Sequence, residues 1–398
     1  MSTRVIVNIA ELITNDPTSG DETVMGRWHD AAVVLDADRV LWIGPSASAP
    51  DADERIDARG AAVVPGFVDS HTHLVFAGER SEEFEARMAG QRYDGGGIAR
   101  TVASTRAATS GALRDATARR REELLQHGVT TVEIKSGYEL TTEGEVRLLG
   151  VAQTFTDEVT FLGAHVVPEE FAADRDGYVA LVAGEMLAAC APLARWADVF
   201  CDEGAFSVDE SRRILLAARE AGLELRVHGN QLGDTGGVAL AVELDAASVD
   251  HCTHLSDADV ELLAGSRTVA TLLPGAEFST RSPYPSARRL LERGATVALA
   301  TDCNPGTSYV TNMALVIALA VREMSMTCDE ALWAATRGGA MALRRDDIGV
   351  LRVGARADLL ILNAPRAAHL AYRPGGTLVQ RTLRAGTPGS QAVRENST

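Results

Sequence analysis

Apolar and polar positions alternate with the two-residue period of a strand at both ends of the chain. Residues 4–14 and 31–44 read this way, with Asp36-Ala-Asp38 as a turn inside the second stretch. The pattern returns in residues 349–354, 357–362 and 378–383. Strands from both ends flanking a long region of different character predict one small β-sandwich domain assembled from residues 1–65 and 346–398. Residues 386–398 are polar and read as a frayed end.

The middle of the chain alternates strand-like and helix-like segments. Eight short runs rich in apolar and β-branched residues cover 67–73, 129–135, 158–165, 197–201, 223–228, 247–251, 268–273 and 296–302. Helical patterns lie between most of them. Residues 112–127 carry Leu113, Ala116, Leu124 and Leu125 among charges and stop at Gly128. Ser207-Val-Asp-Glu210 has the spacing of a capping box, and Ser256-Asp-Ala-Asp259 and Thr327-Cys-Asp-Glu330 open helices in a similar way. Eight strands alternating with helices predict an α/β fold, a (β/α)8 TIM-like barrel over residues 66–345, with catalytic groups where the strands end. The competing architecture is an open doubly wound sheet. No glycine-rich nucleotide fingerprint follows an early strand, and Gly95-Gly-Gly97 reads as a flexible loop.

The polar residues fall where such a barrel needs them. His71 and His73 end the first apolar run with one residue between them, so their side chains share a face. Two imidazoles there form half of a metal site. Solvated histidines on a surface strand are the alternative, but the unbroken run Phe67-Val68 speaks for burial. His165, His228 and His251 end the third, fifth and sixth runs, and Asp302 ends the eighth. Each alone has a plain structural explanation, Asp302 as a helix cap among them. Together they put most of the nine histidines on one face, where a buried carboxylate requires a cation.

Composition narrows the setting. The 398 residues are 46% hydrophobic and 23% charged, as in an ordinary soluble globular protein rather than a disordered one. A net charge of −17 makes nucleic acid and anionic membrane surfaces poor partners. Five cysteines without a CxxC pair suit reduced thiols and a cytoplasmic location. Arg4 is followed by no signal-peptide core, and no run of roughly 18 apolar residues suggests a membrane span.

Pro65-Gly-Phe-Val-Asp-Ser-His-Thr-His73 resembles the opening motif of the amidohydrolase superfamily. Residues 76–84, Glu133-Ile-Lys-Ser-Gly-Tyr138, Phe161-Leu-Gly-Ala-His165 and Asp302-Cys-Asn-Pro-Gly306 resemble one family within it, the imidazolonepropionases of histidine degradation. The resemblance implies one Zn2+ or Fe ion per chain, held by His71, His73, His228 and Asp302, with a position left for water. It implies hydrolysis of 4-imidazolone-5-propanoate, a small-molecule substrate, to N-formimidoyl-L-glutamate. Arg80 matches the arginine that would grip the propionate, and Tyr138 and His165 match positions that contact the ring. His251 matches a histidine that polarises the carbonyl or donates to the leaving nitrogen, and Asn304, Gly306 and Thr307 match a ligand-holding loop. A homodimer is compatible with all of this.

Two positions need separate treatment. Some amidohydrolases carboxylate a strand lysine to bridge two metals, but the motif around Lys135 resembles the single-metal family. Some imidazolonepropionases carry a glutamate three residues after the strand-five histidine, where this chain has Gln231. An amide takes no proton at working pH, so Asp302 is the expected general base, with His165 and His251 as alternatives. Gln231 then keeps a substrate-binding role. The competing functions are another superfamily hydrolase, such as a deaminase or cyclic amidase, and a non-catalytic binding protein on the same barrel.

Overall fold

The computed structural model describes residues 3–90 and 97–388, so Gly95, Gly96 and most of the polar end beyond Gly386 lie outside the described residues. Two compact units emerge: residues 3–69, 122–131 and 312–388 form one, and residues 70–90, 97–121 and 132–311 the other.

In the first unit, β elements from both ends of the chain share one hydrogen-bonded sheet. Its order is Thr387–Pro388, Val379–Arg384, Leu359–Leu362, Ala62–Pro65, Thr3–Ile13, Arg27–Asp36 and Arg39–Pro45, and Glu54–Asp57 also pairs with Thr3–Ile13. Both faces are packed. Ile6, Ile9, Leu12, Val33, Leu359 and Leu383 belong to one cluster, and Val5, Val7, Ala32 and Val34 to another. The switch from Ile6 to Ile9 on one face follows a register shift around Asn8, whose φ is 56°. Residues 349–354, expected as a strand, are turn and coil instead. Isolated bonds pin this stretch, Leu351 N–H to the Thr14 carbonyl and Gly354 N–H to the Val40 carbonyl. Gly349 has a φ of 65°, and a Cβ there would sit 2.4 Å from the Thr336 carbonyl oxygen. The strand Phe67–Asp69 pairs with Val129–Val132.

The second unit carries seven parallel strands in the order Val297–Leu299, Val269–Leu272, Ser248–His251, Glu224–Gly229, Trp196–Cys201, Val159–Ala164 and Ile134–Lys135. Helices such as Thr142–Ala152, Val208–Glu220 and Gly237–Glu243 connect them. The capping boxes expected at Ser207/Glu210 and Ser256/Asp259 are formed, as is Thr327/Glu330 in the first unit. Residues 71–73 close the ring at its C-terminal rim. Lys135 N–H donates to the Thr72 carbonyl (3.0 Å) on one side. On the other, Asp302 N–H donates to the His71 carbonyl (3.1 Å) and His73 N–H to the Cys303 carbonyl (3.0 Å). The fold is a (β/α)8 TIM-like barrel with an additional sheet domain.

One helical stretch, Arg175–Leu193, is long and apolar enough by length and composition to cross a membrane. Here it is a crossover between barrel strands. Tyr178, Val179, Val182, Met186, Leu187 and Cys190 are buried, and its pieces pack on Thr142–Ala152, Val159–Ala164 and Val208–Glu220.

Candidate metal centre and active site

Parallel strands aim their last residues at a common rim, and chain order becomes a ring of side chains there. His71 Nε2 lies 3.5 Å and His73 Nε2 3.6 Å from Asp302 Oδ1. His228 Nε2 faces His73 Nε2 at 3.3 Å. His71, His73, His228 and Asp302 are all buried. Among the described residues, His71 belongs to three sets of buried donors whose ligating atoms lie within 4.8 Å of one another. These are His71 with His73 and Asp302, with His228 and His251, and with Asp198 and Asp250.

The last set is an outer layer. His71 Nδ1 meets Asp250 Oδ2 at 2.7 Å, and His228 Nδ1 meets Asp198 Oδ2 at 3.0 Å. A carboxylate at Nδ1 fixes the proton there and leaves Nε2 as a bare lone pair. The two acids are held in turn by buried cations. Lys135 Nζ lies 2.8 Å from Asp198 Oδ2 and 2.9 Å from Glu133 Oε1. Arg226 lies 3.4 Å from Asp250 Oδ2 and donates to the Ser70 carbonyl at 2.7 Å. Burial alone would raise the Asp198 carboxyl, but His228 and Lys135 outweigh it and hold it well below the usual range. Burial would likewise lower the Lys135 ammonium, but Asp198 and Glu133 outweigh it. A carbamate on Lys135 would set a third anion against those two acids, which argues against the bridging role.

The residues present fit a divalent cation. Glu133, Asp198, Asp250 and Asp302 are four buried carboxylates against two buried cations, Lys135 and Arg226. Two negative charges are left over in a low-dielectric interior. The imidazoles do not offset them, because burial, before any neighbouring charge, holds His71 and His73 well below the ordinary histidine value. His71 Nε2 is buried without a hydrogen-bond partner. Two ring nitrogens facing each other across 3.3 Å also suit a cation between them.

A small cavity opens onto His73, His228 and Asp302. Most of the expected ligand-holding residues line it: Arg80, Tyr138, His165, Gln231, His251, Asn304 and Thr307. His165 stacks on His73, centroids 5.3 Å apart, and Tyr138 lies 5.2 Å from His165. His165 Nδ1 is 2.9 Å from the Gly137 carbonyl, so its Nε2 is the acceptor. Burial, before any other cause, lowers His165 to about 4 and His251 well below its ordinary value. Arg80 is 5% exposed, and Glu83 Oε2 accepts from its Nε (2.9 Å) and Nη2 (2.5 Å). Gly306 does not line the cavity but backs Arg80, since a Cβ there would sit 2.1 Å from Nη1. Asn304 mainly organises its own loop. Its Oδ1 accepts from Gly306 N–H and Thr307 N–H at 2.8 Å each, and its Nδ2 donates to the Asp302 carbonyl at 2.7 Å. Gln231 is fixed through its backbone, whose N–H donates to Asp202 Oδ2 at 2.6 Å.

Sequence reasoning missed the outer layer of Glu133, Asp198, Arg226 and Asp250, and the apolar cavity walls Ile98 and Phe200. The signal for the charged set was available. Each is an ionisable residue inside a run of buried positions, where it is stable only with a partner. Nothing in the sequence singled out the two apolar walls from other core residues.

A profile of the amidohydrolase family matches residues 62–388. An imidazolonepropionase of Streptomyces coelicolor is 61% identical over 385 residues, covering 97% of this chain and 98% of its own. One from Mycolicibacterium smegmatis is 60% identical, covering 97% of each chain. Among solved structures, a zinc-bound adenosine deaminase of Xanthomonas campestris superposes with a TM-score of 0.70 at 20% identity, over 97% of this chain and 92% of its own. A guanine deaminase of C. acetobutylicum gives 0.72 at 15% identity, over 98% and 100%. The deaminases share the fold, and the identity over the whole length is to the other group: the chain belongs to the amidohydrolase family and, within it, to the imidazolonepropionases.

Proposed function

We propose that the chain hydrolyses a ring C–N bond of 4-imidazolone-5-propanoate, giving N-formimidoyl-L-glutamate. The observation that carries this reading is the pairing of two features in one cavity. Three of the four metal donors, His73, His228 and Asp302, line it together with the buried Arg80, and the fourth, His71, lies 3.5 Å from Asp302. His71, His73, His228 and Asp302 would hold one ion, Zn2+ or Fe, both of which suit nitrogen and oxygen donors. Such an ion, when bound, supplies Lewis acidity and makes water acidic near neutral pH.

The side chains divide the remaining work. Arg80 offers a planar pair of donors for the propionate, with Glu83 on its other edge. Tyr138 and His165 flank the flat ring, and the neutral His165 Nε2 accepts from a ring N–H. His251 polarises the ring carbonyl or donates to the departing nitrogen. Asp302 takes the proton of the attacking water, and Gln231 bonds the ring amide. Phe200 and Ile98 exclude bulk solvent from the ring. Five cysteines, none in a disulfide, support a cytosolic setting.

A purine or pyrimidine deaminase on the same barrel is the second reading. Arg80 disfavours it, because the guanidinium edge not taken by Glu83 has donors that suit a substrate carboxylate, which a neutral base lacks. The test is loss of the ultraviolet absorbance of freshly made imidazolone propionate on incubation with the metal-loaded protein. No loss with that substrate, together with ammonia release from a nucleobase, would replace the first reading by the second.

A further inference from the structure

Three backbone N–H groups of one loop converge on a single buried carboxyl outside the cavity. Glu145, in the helix Thr142–Ala152, is fully buried. Its Oε2 accepts from Gly137 N–H at 2.8 Å. Its Oε1 accepts from Glu139 N–H at 3.0 Å and Leu140 N–H at 2.8 Å. The loop so gathered carries Tyr138 and follows directly on Lys135.

This loop does not hold its shape by local preference. Gly137 has a φ of 103° and Leu140 a φ of 58°, and a leucine rarely adopts the left-handed region. Gly137 is the link to the chemistry. Its N–H goes to Glu145 Oε2, while its carbonyl accepts from His165 Nδ1 at 2.9 Å. That second bond fixes the His165 tautomer and turns its ring, which stacks on His73 at an interplanar angle of 22°. The space is tight as well, since a Cβ on Gly137 would lie 3.1 Å from His165 Nδ1.

We propose that Glu145 is a positioning residue for the reaction: its carboxyl sets the Gly137 peptide and, through the Gly137 carbonyl, the orientation and tautomer of His165. The proposal rests on the reading of His165 as a group that holds the substrate ring. Glu145 itself touches no substrate. Burial pushes the Glu145 carboxyl up to about 7 against the pull of the Ser136 hydroxyl and the loop N–H groups, and the ionised form, which only accepts, is the one that matches the three N–H donors pointing at it. An amide of the same shape cannot replace it. With its oxygen toward Glu139 and Leu140, its NH2 meets the Gly137 N–H, donor against donor. Turned over, it loses the other two bonds.

The experiment compares wild type, Glu145→Gln, Glu145→Asp, His165→Ala and the double variant Glu145→Gln/His165→Ala, all as full-length metal-loaded protein. Circular dichroism and metal content are checked for each. Glu145→Gln should lose roughly 10- to 100-fold in kcat/KM, the scale of a small misplacement of a contacting group. Glu145→Asp, which keeps both acceptor oxygens, should recover part of that loss. In the His165→Ala background, Glu145→Gln should cost less than about threefold more, because its route to the substrate is gone. Histidine 15N spectra give a readout independent of turnover: the Nδ1–H signal of His165 should move in Glu145→Gln while those of His71 and His228 stay in place. If Glu145→Gln does not fold, Glu145→Asp carries the same spectral and kinetic comparisons. Folded, loaded Glu145→Gln with wild-type kcat/KM overturns the proposal, as does an equal loss with and without His165. A wild-type rate for His165→Ala would instead sink the reading of His165 on which the proposal stands.

Discussion

His228 and Asp198 meet twice: the imidazole Nδ1 lies 3.0 Å from the carboxylate Oδ2, and the backbone N–H of the same histidine donates to Oδ1 at 3.1 Å. The two residues pair across neighbouring parallel strands, where Asp198 faces Arg226 and His228 faces Phe200 in register. The double contact fixes both the ring and the strand end that carries it. An outer acid of this kind raises the basicity of Nε2 toward a metal. Asp198→Asn keeps the shape and removes the charge. It should weaken metal affinity about 10- to 100-fold, read by competition with a chelator, with the barrel still folded. His228→Ala should lose the metal and the activity together. Unchanged affinity in Asp198→Asn would reduce the acid to a structural contact.

Lys135 supplies a second test, now of metal number. Its ammonium sits between Glu133 and Asp198, where a second ion would otherwise be needed. Purified protein should therefore hold one metal per chain. Lys135→Met preserves most of the volume but strands two buried carboxylates. It should lower unfolding free energy by about 3–5 kcal/mol, the usual result of removing one partner of a buried ion pair. Denaturant unfolding of the metal-loaded proteins measures it. Two metals per chain in the wild type, with a carbamate on Lys135, would contradict the single-ion centre.

The grip on the carboxylate rests on Arg80. Arg80→Ala should raise KM by about 10- to 100-fold, since a charge-assisted pair of bonds is worth roughly 1.5–3 kcal/mol. Arg80→Lys should restore only part, because a point charge replaces a planar fork. Gly306→Ala tests the same arginine from behind. Its Cβ would sit 2.1 Å from Arg80 Nη1, so the guanidinium must move, and KM should rise without a matching fall in kcat. Normal KM in both Arg80→Ala and Gly306→Ala would make the arginine a bystander.

Much of this site could be read from residue order alone, for a physical reason. A parallel barrel converts the last residue of each apolar run into one rim, so His71, His73, His165, His228, His251 and Asp302 could be brought together without knowing any angle. What stayed hidden lies off that rim. Asp198, Arg226 and Asp250 point inward below it, and their roles depend on cross-strand register, which no single run displays. The misread strand at 349–354 shows the opposite limit. Its apolar pattern is real, and Leu351 is buried, but the segment spans two left-handed glycines and finds no partner strand to complete a ladder.

The proton of the attacking water must go to a group that can hold it. Gln231 stands where a carboxylate base would, and its amide takes no proton near neutral pH. His165 and His251 were the alternatives to Asp302, but burial lowers both, His165 to about 4, which makes them weaker bases than free imidazole. Asp302 is better placed. Its Oδ1 faces His71 and His73 at 3.5 and 3.6 Å, and Thr307 Oγ1 approaches its other oxygen at 3.5 Å. A carboxylate so held would offer Oδ1 to an ion, while Oδ2 faces the Thr307 hydroxyl. A ligating carboxylate is a weak base, yet the cation that lowers its pKa lowers that of the water as well, so the mismatch shrinks. Asp302→Asn should then lose turnover by about 10²-fold or more even in preparations that retain metal, the usual range for a general base. Gln231→Ala should raise KM and leave turnover measurable, since its amide only bonds the ring. Metal content must be measured alongside, because Asp302 also serves as a ligand. Wild-type turnover by loaded Asp302→Asn would remove the carboxylate from the proton path. Loss of kcat at unchanged KM in Gln231→Ala would give the amide a part in the chemical step.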